Sequence, residues 1–85
     1  MELLHIVERA KALDGLNVAV EFDTGEKGVF NCSYLLSDPY WLRLKEPTFF
    51  RTARAEYGTV VWDDNIDVAP ESVWERAVFE SNPQG

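Results

Sequence analysis

Apolar and polar side chains alternate most clearly over residues 16–22, near the start of the chain. This period of two is typical of a β-strand that buries one face. Asp14-Gly15 precedes the run, and because both residues tolerate positive φ, the pair predicts a type I′ turn from a first strand over 6–13. Another β-compatible run, over 27–32, follows a second turn. The pattern therefore predicts an antiparallel meander of three strands.

The middle of the chain favours short helical turns instead. Residues 33–36 suit a single turn, and Asp38-Pro39 combines a capping residue with a proline at the first helical position, which predicts one to two turns over 40–44. A further short turn is predicted over 47–50, since a proline stops the preceding one. Turns this short are unstable alone. We expect the sheet to hold them by burying Trp41, Leu44, Phe49 and Phe50.

A period of two returns further along the chain. Residues 52–57 and 59–62 are separated by one glycine, which predicts a second hairpin, and the acidic run 63–67 is expected to end it. Pro70 suits the first turn of a helix, and the apolar spacing predicts a helix over 70–80 that covers one sheet face. The apolar stripe of this helix consists of Val73, Trp74, Ala77 and Val78.

These elements predict an α+β fold. It has a mostly antiparallel sheet of about five strands, short helical turns in the middle and one C-terminal helix packed on the sheet. At 85 residues the chain is long enough for one core and too short for a second domain. We expect a single domain over 1–80 and a flexible tail over 81–85.

Composition and charge narrow the classes of function. The chain is 46% hydrophobic and 13% aromatic, which excludes intrinsic disorder, and its net charge is 8 − 15 = −7. Binding of nucleic acid through phosphates needs clustered cations, so we expect no direct nucleic-acid binding. The start of the chain shows no secretion signal, and the sequence lacks a run of ~18 apolar residues, so we expect a cytoplasmic protein with no membrane contact.

The densest carboxylate cluster does not predict a metal site. Asp63-x-Asn65-x-Asp67 imitates the opening of a calcium loop. Val68 stands where that loop needs glycine, and Trp74 stands where it needs the bidentate glutamate. We therefore interpret the cluster as a solvated loop and expect no metal.

The residues that nucleophilic catalysis would use are equally sparse. His5 is the only histidine and Cys32 the only cysteine, and neither lies in a local catalytic signature. Phosphate-binding and nucleophile-elbow glycine motifs are also missing. We expect no catalytic residues, no cofactor and no enzymatic activity.

The aromatic residues are expected to be mostly core, because base-stacking platforms lie in positively charged grooves and this chain is acidic. A small domain buries limited surface, however, so part of the aromatic set is expected to remain exposed as a binding patch. The residues considered for the core are Trp41, Phe49, Phe50, Tyr57, Trp62 and Trp74. Those considered for the patch are Tyr34, Tyr40, Trp41 and Phe79.

The chain contains an ordered set of segments: 20–26 (VEFDTGE), 29–30, 34–36, 44–50 (LKEPTFF), 57–62 (YGTVVW) and 67–71 (DVAPE). Over about residues 6–74, this set resembles the bacterial family known as domain of unknown function 2442. The resemblance implies a small α+β domain with a mostly antiparallel sheet, although the family usually has aspartate where Asn31 stands. It implies no established activity, but members have been suggested to act as the antitoxin of a toxin-antitoxin pair.

Our first hypothesis is a non-enzymatic, antitoxin-like protein-binding module. It would bind a small basic protein through Asp63, Asp64, Asp67 and Trp41, with complementary charge speeding association. A second hypothesis is a structural or regulatory homodimer that pairs through an exposed edge strand over 27–32. A third is an acidic mimic of nucleic acid that occupies a basic groove on another protein.

Overall fold

Two antiparallel sheets and a set of short helices make up the fold, which confirms the predicted α+β class. The computed structural model of the protein describes residues 6–79. His5 and the predicted tail over 81–85 lie outside the described residues.

The first sheet contains the predicted meander and one strand that the sequence did not predict. Its strands are β1 (Val7–Ala12), β2 (Asn17–Phe22) and β3 (Lys27–Asn31), with β7 (Val78–Phe79) added beside β3. Every second residue of β2 points into the core, as the alternation predicts.

The turn between β1 and β2 differs from the prediction by one residue. Positive φ falls on Gly15 (69°) and Leu16 (64°), while Asp14 accepts a hydrogen bond from the backbone of Asn17 at 3.4 Å. The Asn31 side chain donates to the Asn17 side chain across the strands at 2.8 Å, which holds Asn17 in the sheet and places the turn before it. Leu16 offsets its unfavourable backbone by packing against the core.

The second sheet also has one strand more than predicted. β4 (Arg54–Glu56) and β5 (Thr59–Trp62) form the expected hairpin, and β6 (Ile66–Asp67) pairs with the far side of β5. The acidic run thus reverses the chain through a 3₁₀ turn, Asp63–Asn65, and does not simply end the sheet. The Thr59 hydroxyl donates to the carbonyl of Val68 at 2.6 Å and holds β6 in place.

The middle helices are as short as predicted. They are 3₁₀ helices Ser33–Ser37 and Pro39–Lys45, followed by α1 (Pro47–Phe50). The Asp38 carboxylate caps the second of them by accepting the backbone N–H of Tyr40 at 3.0 Å. None of the helices described over residues 6–79 has the length and apolar character needed to cross a membrane.

The last helix is shorter than predicted. Helix α2 (Pro70–Arg76) ends four residues early, and the chain after it pairs with β3 as β7. Gly28 permits this pairing, since a Cβ there would lie 2.9 Å from the carbonyl oxygen of Val78. Val78 is therefore not part of the apolar stripe: it is 73% exposed on the opposite side of the sheet.

Trp62 lies in the core where the two sheets and the middle helices meet. Its ring is fully buried and contacts the rings of Trp41 and Phe50 at centroid distances of 5.9 and 6.2 Å. Trp74 packs edge-on against Phe22 at 5.2 Å, which places α2 over the first sheet. The buried core residues are Val7, Val18, Val20, Phe22, Phe30, Cys32, Leu44, Phe49, Phe50, Val60, Trp62, Ile66, Val68 and Val73.

Tyr57 contradicts its predicted place in the core. It is 79% exposed, and its φ of 55° puts a bulky residue in the left-handed region at the β4–β5 turn. We expect Tyr57→Asn to stabilise the protein by about 1 kcal/mol, because asparagine adopts this region with little strain. The measurement is the free energy of unfolding in urea.

Tyr57→Ala is the matched control for this prediction. It removes the same exposed ring, but alanine adopts the left-handed region less readily than asparagine does. The backbone strain at this turn therefore remains in the alanine variant. Equal stability of the asparagine and alanine variants would show that the backbone at residue 57 is not strained.

Candidate partner-binding surface

The register of the second sheet places Asp67 and Arg54 on one face. Arg54, Val61 and Asp67 are directly paired across β4, β5 and β6, and directly paired residues share a face. Asp63 lies two residues beyond Val61 and reaches the same guanidinium, with 3.4 Å between its Oδ1 and the Arg54 Nη1. The structure thus brings Asp63 into contact with Arg54, while Asp67 lies on the same face of the sheet, two strands away from Arg54.

Arg54 is shared between two carboxylates. Its Nε donates to Glu56 at 2.7 Å, and this hydrogen bond is the main reason that the pKa of Arg54 is raised above its usual value. Two carboxylates, from Glu56 and Asp63, contact one guanidinium, so the cluster carries 1 − 2 = −1. Exposed ion pairs contribute about 0–1 kcal/mol, so these carboxylates are free to exchange partners.

Asp64 points to a different arginine. Its φ of 67° turns it out of the strand direction, and its Oδ2 accepts from Arg43 Nη1 at 2.9 Å. The Arg43 guanidinium also lies 4.1 Å above the centre of the Phe49 ring. Arg43 therefore joins the acidic turn to the middle helices.

Trp41 lies beside the acidic turn. It packs edge-on against Trp62, the residue before Asp63, and against Tyr40 at a centroid distance of 5.2 Å. Tyr40 is 60% exposed and Trp41 is half-buried, and Arg43 of the same 3₁₀ helix pairs with Asp64, which joins this helix to the acidic turn. We call this set the aromatic-acidic surface: Tyr40, Trp41, Asp63, Asp64 and Asp67.

Sequence reasoning singled out the acids and Trp41 but missed the two arginines that hold them. The spacing of Arg54 and Glu56 on one strand face was a usable signal, because residues two apart in a strand are neighbours. Arg43 gave no such signal in the sequence, because its contact with Asp64 joins residues that lie 21 positions apart.

Cys32 does not have the environment of a nucleophile. It is fully buried, and burial raises the pKa of its thiol from 9.0 to about 12. The thiol is therefore protonated at neutral pH. Within residues 6–79, His, Cys, Asp and Glu side chains form no group that could hold a metal ion.

The edge predicted for homodimer pairing is partly occupied. β7 pairs with β3 at Gly28 and Val29, so the backbone of β3 is not an open edge at those residues. The sequence did not predict this pairing, because a two-residue strand leaves almost no pattern in the sequence.

Residues 7–79 match the sequence pattern of the family described as "Protein of unknown function (DUF2442)". The chain belongs to this family. The DUF2442 match begins at the first residue of β1 and ends at the last residue of β7, so it includes both sheets and the aromatic-acidic surface. Searches among curated proteins and among solved structures gave no match.

Proposed function

We propose that this DUF2442 domain is a cytoplasmic, non-enzymatic protein-binding module that neutralises a small basic protein, as an antitoxin does. The observation that supports the proposal is the aromatic-acidic surface, in which the Arg43–Asp64 ion pair joins the helix of Tyr40 and Trp41 to the acidic turn. Trp41 and Tyr40 provide an anchor of the kind that dominates protein interfaces. The three carboxylates of the same set favour a cationic partner.

The arginines explain how the surface stays ordered without a partner. Arg43 holds Asp64 in place and Arg54 holds Asp63 in place. Both ion pairs are solvent-exposed, so breaking them costs little free energy. Lysine or arginine side chains of a partner can join or replace them. Because the attraction acts at long range, the net charge of −7 also speeds encounter with a basic protein.

The test is affinity capture from a native lysate at low salt, followed by calorimetry with the captured partner. The binding variant is Asp63→Asn/Asp64→Asn/Asp67→Asn. The control variant is Glu8→Gln/Asp14→Asn/Glu26→Gln, which removes three exposed carboxylates elsewhere and leaves the same net charge. We expect the wild type and the control to bind a basic protein, and the binding variant to bind it at least about tenfold more weakly.

Trp41→Ala separates the anchor from the charge. We expect it to weaken binding by about tenfold or more without changing the salt dependence, because it removes apolar contact area and no charge. Recovery of no basic protein by the wild type, or equal affinity of both triple variants, would refute the proposal.

The same measurements test the other two hypotheses. A homodimer predicts twice the monomer mass in sedimentation without any captured protein. A mimic of nucleic acid predicts that the captured protein binds DNA or RNA and that the nucleic acid displaces the domain.

A further inference from the structure

We propose that the outer face of the first sheet is a second docking surface, which binds an acidic amphipathic segment of a partner protein. We call it the basic sheet face: Arg9, Lys11, Ala19, Glu21, Lys27, Val29 and Val78. It does not depend on the proposed function, because it lies on other elements and has the opposite charge.

The face is uncovered in the part of the chain that the structure describes. Val18, Val20 and Phe22 point from β2 into the core, so Ala19 and Glu21 point to the other side. Ala19 and Val29 do not pack against the core cluster, which gathers the middle helices and the second sheet on the inner side. A shallow cleft of about 410 Å³ lies over them.

Cations concentrate on this face of an acidic protein. Arg9, Glu21 and Lys27 form one cross-strand row, and Lys11, Ala19 and Val29 form the next. Three cations against one carboxylate give 3 − 1 = +2, so the rest of the chain carries −7 − 2 = −9. The single carboxylate, Glu21, is weakly paired with Arg9, with 3.9 Å between Glu21 Oε1 and Arg9 Nε. Positive charge is thus concentrated on this face, and the excess of negative charge belongs to the rest of the chain.

The centre of the face is apolar. Ala19 and Val29 continue in register to Val78 on β7, and Val78 is 73% exposed. Lys11 stands at one end of this row, while the Arg9 row flanks it. The arrangement is an apolar strip with a cationic border, and a partner must cover the strip as well as neutralise the border.

An acidic amphipathic helix fits both requirements. Its carboxylates would face Arg9, Lys11 and Lys27 while its small apolar side chains lie on the strip. A nucleic acid fits less well, because its phosphates would meet Glu21 and leave the strip uncovered. Two copies placed face to face would oppose cations to cations, which disfavours a symmetric dimer through this surface.

The test uses fluorescence anisotropy with three labelled probes. They are an amphipathic peptide of about 18 residues built from glutamate, alanine and leucine, the same peptide with lysine for glutamate, and a single-stranded DNA of about 20 nucleotides. The binding variant is Lys11→Glu/Lys27→Glu. The control is Lys45→Glu/Arg51→Glu, which changes the net charge equally at exposed cations on other elements.

We expect the wild type to bind the acidic peptide in preference to both other probes. Affinity should fall about tenfold or more in Lys11→Glu/Lys27→Glu and when salt rises from about 50 to about 500 mM, and change less than about twofold in the control. Amide NMR shifts should map to Ala19, Val29 and their neighbours. Asp63→Asn/Asp64→Asn/Asp67→Asn should retain peptide binding, which separates this proposal from the proposed function.

Three results would overturn the proposal. Equal losses in both charge-reversal variants would show a general charge effect. Tighter binding of the DNA, lost on reversal of Lys11 and Lys27, would assign the face to nucleic acid. Self-association in sedimentation that is abolished both by these reversals and by the triple aspartate variant would assign it to a second copy of the chain.

Discussion

Trp62→Ala is expected to cost about 3–5 kcal/mol of the free energy of unfolding, because it empties a fully buried indole site at the junction of both sheets. A domain of this length has a total stability of about 4–13 kcal/mol, so the variant should lose a large fraction of it. Urea unfolding followed by circular dichroism measures the loss.

Two variants in the same aromatic stack serve as controls. Trp41→Ala removes a half-buried ring that contacts Trp62 from the outside, and it should cost about 1–2 kcal/mol because solvent fills the site. Trp62→Phe should cost less than Trp62→Ala, since it keeps a ring and removes an indole N–H that finds no acceptor among residues 6–79. A greater loss in Trp41→Ala than in Trp62→Ala would contradict this account of the core.

Alkaline pH is expected to destabilise the protein through Cys32. Burial raises the pKa of the folded thiol to about 12, whereas the unfolded thiol titrates near 9.0. Between these values the unfolded state binds fewer protons than the folded state, so stability falls as pH rises, by about 1.4 kcal/mol per pH unit. The total loss from this thiol by about pH 12 is about 4 kcal/mol. Below about pH 9 the thiol is protonated in both the folded and the unfolded state, so none of this stability is lost there.

Cys32→Ala isolates this contribution from that of other alkaline groups. Tyr34 also has a pKa raised, mainly by burial, and Cys32 adds to this increase, so the difference between the two proteins includes this smaller coupling as well. We expect the wild type to be the more stable at pH 8, since the variant leaves a small cavity, and its advantage to shrink and then reverse as pH rises. Parallel stability curves from about pH 8 to about pH 11 would contradict the burial of the thiol.

The parts of the fold that the sequence predicted are those with a dense local signal. The alternation over 16–22 identified β2, and Asp38-Pro39 identified the start of a short helix with its cap. Both rest on interactions between near neighbours, which depend little on the rest of the chain.

The sequence predicted which residues belong to the candidate site but not how they are arranged. The acidic run and Trp41 were visible as residue types, but their neighbourhood depends on Trp41 packing against Trp62 and on β6 pairing with β5. Arg54 gained its role from the pairing of β4 with β5. The segregation of cations onto the outer face of the first sheet could not be read before the register of β1, β2 and β3 was known.

Local patterns in the sequence were enough to predict the class of the fold, the meander and the short central helices, and the acidic balance of the chain follows from composition alone. The end of α2, the strands that close the two sheets and the exposure of each aromatic residue depend on long-range packing. Strands as short as β6 and β7 have no stability or periodicity of their own, so they form only where an existing strand offers hydrogen bonds. Gly28 illustrates the point: its missing Cβ matters only because Val78 returns to lie beside it.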